Sequence, residues 1–131
     1  ASVHPDLVFV LDHLGKPALR GDTIAERSTA LRPLAGRPNV FAKLSGLTME
    51  AEWDRWTVAD LEPAVELALE CFGPERLMFG SDWPLVEVCG GYSAWLDAAR
   101  GLVSGLSPSE RAAIFGTTAR TAYGIAGGQN A

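Results

Sequence analysis

Three apolar runs recur along the chain, and each ends in polar residues: "LVFVLDH" at 7–13, "NVFAKLSG" at 39–46 and "RLMFGSD" at 76–82. Short continuous runs of this kind mark strands covered by helices on both faces, as in parallel sheets. They predict strands near 7–12, 39–45 and 77–81. Between them the spacing turns helical. Asp22 is placed as an N-cap before Ile24, Ala25, Ser28 and Leu31, with Pro33 ending or kinking that helix. Leu61, Val65, Ala68, Leu69 and Phe72 form a second helical stripe, stopped by Gly73. Trp95, Ala98, Ala99, Leu102 and Val103 form a third, within a helix over 92–106. "SPSE" reads as a capping box, with Ser107 as N-cap, Pro108 at N1 and Glu110 at N3, starting a last helix to about Tyr123. The stretch 47–57 has no clean period and reads as an ordered loop. The tail from Gly124 reads as frayed.

Strand and helix alternate three times and a final helix follows, which predicts an α/β protein with a parallel sheet and right-handed crossovers. The 131 residues, 47% hydrophobic and 21% charged, suit one globular domain. A net charge of −5, with the 11 basic residues scattered, argues against nucleic acid or an anionic membrane surface as partner. No apolar stretch approaches the roughly 18 residues of a membrane span. Cys71 and Cys89 are the only cysteines and do not form a C-x-x-C pair. They read as ordinary thiols of a cytoplasmic protein, and no secretion signal is visible.

The polar strand ends carry the candidate chemistry. His13, Ser45 and Asp82 each stand at or just past a strand's C-terminal end, and the gaps between them fit one strand-plus-helix unit of roughly 30 residues or more. In a parallel sheet all three emerge on one edge, where barrels and open α/β sheets place their active sites. Each also has a plainer reading. Asp82 can accept backbone bonds in the turn before Pro84. His13 can be a structural histidine, Lys43 a solvated rim lysine sharing the parity of Ser45, and Trp83 a packing residue instead of a stacking platform for substrate. The glycine-rich turn "CGGYS", at 89–93, precedes a helix N-terminus and reads either as a connector or as a site for a carboxylate.

Together "VLDHLGKP", "NVFAKLSGL", "RLMFGSDWP" and "IFGTTARTAYGI" resemble the amidohydrolase-related family of (β/α)8-barrel hydrolases, in its fuconolactonase-like, sugar-acid lactonase branch. One departure lies in the last motif, where relatives carry Asn-Ala after the glycine and this chain has Thr117, Thr118 and Ala119. The resemblance implies that Asp82 takes a proton from the attacking water. It implies that His13 polarises the carbonyl or, with Asp82, binds a divalent metal such as zinc; members of the family open lactones with zinc or without a metal. Lys43, Ser45 and Trp83 are then expected to contact a small lactone. A metal-dependent decarboxylase of the same superfamily is the rival reading.

If Asp82 closes the barrel, the chain holds strands six to eight, whereas a full barrel needs about 250 residues. The family's first-strand His-x-His is not present, since His4 and His13 are the only histidines. A catalytic zinc takes three protein ligands plus water. The expectation is therefore that residues 1–131 form the C-terminal part of a barrel domain: three parallel strands, their helices and a C-terminal helix. Such a part is expected to be inactive alone and to need the other barrel half, or self-association, to cover its faces.

Overall fold

The computed structural model describes residues 1, 3–17, 19 and 24–125. Its sheet holds β1 (Phe9–Leu11), β2 (Val40–Leu44) and β3 (Leu77–Phe79), in the order β1-β2-β3. Both pairings are parallel, as the alternation predicts; Phe9, Val10 and Leu11 face Val40, Phe41 and Ala42, and Leu44 faces Phe79. Helices α1 (Ile24–Ala35) and α3 (Val58–Phe72) pack on each other and on one face of β2. There Leu31, Val40, Ala42, Leu44, Leu61, Val65, Ala68 and Leu77 make the dry core. The Asp22 cap lies outside the described residues. Pro33 does not end α1, which runs on to Ala35.

Burial corrects one expectation. Val40, Ala42 and Leu44 are buried, while Phe41 and Lys43 on the opposite face of β2 are only partly covered. All of β1 is intermediate, and Leu7 and Val8 are half exposed. The runs are continuous because a strand inside a closed barrel needs apolar groups on both faces. Among the described residues β1 and β2 lack a full covering layer on the second face, whereas in β3 the adjacent Leu77 and Met78 are both buried.

The loop expected over 47–57 contains one helical turn, α2 (Leu47–Glu50), seated with Leu47 and Thr48 buried. An unforeseen capping box starts α3: the Asp60 carboxylate accepts from the Thr57 N–H at 2.7 Å and its hydroxyl at 2.9 Å. Gly73, at φ 67°, ends α3 as predicted. Arg76 then ties α1 to the start of β2 by donating to the carbonyls of Ala35, Arg37 and Val40.

Helix α4 (Gly91–Leu102) stops earlier than its spacing suggests, and Ser107 and Glu110 form the expected capping box of α5 (Pro108–Ala112). A π-helical segment, Ala113–Thr117, joins α5 to α6 (Thr118–Tyr123). It packs Phe115 against Phe79 at 5.2 Å between ring centroids. Among the described residues no helix is long and apolar enough to cross a membrane.

Candidate active site

Because the strands are parallel and in register, their C-terminal ends meet on one edge. After β1 comes a 3-10 segment, Asp12–Gly15, bearing Asp12 and His13; after β2 come Ser45 and Gly46; after β3 come Gly80, Ser81 and Asp82. His13 Nδ1 lies 2.8 Å from Ser45 Oγ. His13 Nε2 faces two carboxylates, Asp12 Oδ2 at 3.3 Å and Asp82 Oδ1 at 3.7 Å. Lys43 Nζ is 2.8 Å from Asp12 Oδ1. The structure thus brings His13, Ser45, Asp82 and Lys43 together and adds Asp12, which the sequence reading missed. Its signal was available, since Asp12 is a second carboxylate at a predicted strand end.

Local backbone conformation aims these groups. His13 and Asp82 both have left-handed φ, 51° and 59°, as do Leu14 and Lys16. Left-handed backbone costs an L-residue roughly 1–2 kcal/mol. Two facing polar residues held this way mark the edge as a place where packing overrules local preference. Ser45 is fully buried, and the Asp82 side chain is only 10% exposed.

The Lys43 hydrogen bond draws the Asp12 carboxyl below its usual range. Reciprocally, Asp12 lifts the Lys43 ammonium above its own, with the Tyr123 phenol adding to the effect from α6. Cys89 sits close enough to Asp82 to feel its charge. Burial first, and that charge second, push its thiol up, so it rests as a neutral group against Met49 Sδ at 3.0 Å.

Two glycines are fixed by close approach. At Gly46, φ 68°, an added Cβ would lie 2.8 Å from His13 Nδ1 and 2.9 Å from its Cγ. At Gly80 it would meet Lys43 Cδ at 2.9 Å and Ser45 Cβ at 3.1 Å. We expect Gly46→Ala to cost about 1–3 kcal/mol by adding left-handed strain to overpacking. Because the ring itself must move, the His13–Ser45 bond is lost as well. Chemical denaturation and the His13 ring signals in an NMR spectrum check both effects, and a variant of unchanged stability with an unmoved ring would contradict them.

Trp83 is 70% exposed, so it does not pack into the core; Leu85, Val88 and Tyr92, which follow it in the chain, are exposed as well. The helix start in "CGGYS" is not an open anion site. Glu87 reaches it first, its Oε1 accepting from the Tyr92 N–H at 3.3 Å.

As zinc donors, His13 Nε2 and Asp82 Oδ1 are the groups that fit by type, with Ser45 holding the other ring nitrogen. A third is not supplied: among the described residues no group of three or more His, Cys, Asp or Glu side chains is arranged to hold a metal. These residues alone do not make up a zinc centre.

Parallel strands backed by helices, with polar groups gathered at the strand ends, make an α/β arrangement that corresponds to part of a (β/α)8 barrel. The amidohydrolase family model matches residues 1–125, and the chain belongs to that family. It is 45% identical over 127 residues to an L-fucono-1,5-lactonase of Burkholderia multivorans, covering 89% of this chain and 43% of the relative. An L-fucono-1,5-lactonase of Burkholderia ambifaria is 36% identical, covering 93% and 43%. Among solved structures, a zinc-bound amidohydrolase from Burkholderia multivorans superimposes with a TM-score of 0.91 at 39% identity, covering 95% of this chain and 46% of that one. The chain thus spans less than half the length of these relatives.

Proposed function

We propose that the protein carrying this chain is a hydrolase that opens the ring of a small sugar-acid lactone. The observation that carries the reading is the approach of a nearly buried carboxylate, Asp82, to His13 Nε2 on the C-terminal edge of a parallel sheet. Similarity to two lactonases supports the substrate class.

The chemistry follows from the placement. Water attacks the lactone carbonyl carbon while Asp82 takes one of its protons. The carbonyl pair moves onto oxygen, where the His13 Nε2–H stabilises it; Ser45, donating its hydroxyl hydrogen to Nδ1, keeps the imidazole in the tautomer that carries that hydrogen. The intermediate collapses with cleavage of the ring C–O bond. Asp82 returns its proton to the leaving ring oxygen, and the product is the open hydroxy acid. Trp83, exposed and next in sequence to Asp82, is the expected stacking surface for the sugar ring.

Incubation of the full-length protein with a panel of aldonolactones tests this. The expected result is one equivalent of acid per lactone consumed, with no carbon dioxide. Carbon dioxide release from an acid substrate would favour the decarboxylase reading, and a panel left wholly intact would end the lactonase one.

A further inference from the structure

Lys43 and Asp12 stand beside His13 and Asp82, yet the chemistry above gives them nothing to do. Their geometry is specific. One Asp12 oxygen is tied to Lys43 Nζ at 2.8 Å, and the other lies 3.3 Å from His13 Nε2. Ser45 holds the opposite ring nitrogen at 2.8 Å, so the imidazole is gripped from both sides. Asp82 is farther from the same nitrogen, at 3.7 Å. Of the two carboxylates near Nε2, Asp12 is the closer. Were the Nε2 hydrogen to settle on Asp82 instead, base and oxyanion donor would satisfy each other, and that carboxylate would be a weaker base toward water. The 3.3 Å contact is long beside the 2.7–2.9 Å of a strong charge-assisted bond, so a substrate oxygen readily takes the hydrogen over. Lys43 is itself paired with Asp12 from the first strand end.

We propose that Lys43 and Asp12 are positioning residues: Lys43 anchors Asp12, and Asp12 holds the His13 Nε2–H away from Asp82, keeping that carboxylate free for water. The inference rests on the lactone-opening reading. It departs from the sequence expectation for Lys43, since a lysine that bound substrate would act on KM.

The test uses the full-length protein. Lys43→Met is expected to lower kcat by about 10- to 100-fold, as losses of groups behind a working ligand do, with KM nearly unchanged. Asp12→Asn gives the same loss, and the double variant is no slower than the worse single, because the two act as one unit. Lys43→Arg restores most of the rate. A rise in KM with kcat intact, or losses that add, would overturn the proposal.

A second readout does not depend on turnover. In nitrogen-15 histidine spectra at one fixed pH, the His13 signal is identified by its disappearance in His13→Asn. The unsubstituted protein should show the Nε2–H tautomer, while Lys43→Met and Asp12→Asn should show mixing of the two tautomers. A His13 signal identical in all three would also overturn the proposal. If no lactone is opened by the unsubstituted protein, the lactonase reading falls and these spectra still decide the positioning role.

Discussion

Asp82→Asn is expected to lower kcat for lactone opening by about 10²- to 10⁴-fold, the range that a placed general base contributes. The substitution keeps the shape of the side chain and one oxygen acceptor. Asparagine also tolerates the left-handed φ of 59° found here. What disappears is the ability to take a proton from water. The thermal midpoint should therefore stay close to that of the unsubstituted protein, and kcat measured on folded material reads the chemical loss alone. Turnover near normal would remove Asp82 from the mechanism. A large drop in stability with little kinetic effect would return it to the plainer reading, an aspartate capping the turn before Pro84.

The largest effect on stability is expected at Trp95. Its indole is 1% exposed, stacks on Phe79 with centroids 5.9 Å apart and donates from Nε1 to the Gly80 carbonyl at 2.9 Å. Trp95→Ala should cost about 3–5 kcal/mol through lost burial and the cavity left behind. Trp95→Phe separates the hydrogen bond from the volume. It should cost about 1–3 kcal/mol, much of it from a Gly80 carbonyl left without its partner. Gly80 opens the turn that presents Asp82, so both variants should also lower kcat. Denaturant midpoints together with kcat check this. A Trp95→Ala loss below about 1 kcal/mol, typical of an ordinary substitution, would show that α4 does not brace the strand end.

The two expectations differ in how far the sequence leads to them. Asp82 could be singled out from its position after an apolar run, because alternating strands and helices force parallel strand ends onto one edge. The link from Trp95 to Gly80 could not. Trp95 was legible as a core residue of α4 by its spacing, but which carbonyl its indole reaches depends on how α4 sits across the sheet.

The same division holds across the site. Sequence by itself determined the three strands, the helix that Gly73 ends, the Ser107–Glu110 cap, and the position of His13, Ser45 and Asp82 at the strand ends. These follow from periods and caps that act within a few residues. It left open whether Lys43 was solvated at the rim or reached toward substrate. Only the tertiary structure decided that Asp12 joins the site and pairs with Lys43, and that Gly46 and Gly80 must lack side chains because His13, Lys43 and Ser45 press against them. Only it decided that the faces of β1 and β2 turned away from the helices lie partly uncovered among the described residues. Periodicity reports which way a residue points within its own element. Partners such as His13 and Ser45, 32 residues apart, are chosen by strand register and by the left-handed turns that follow, and neither is written into any local stretch of the chain.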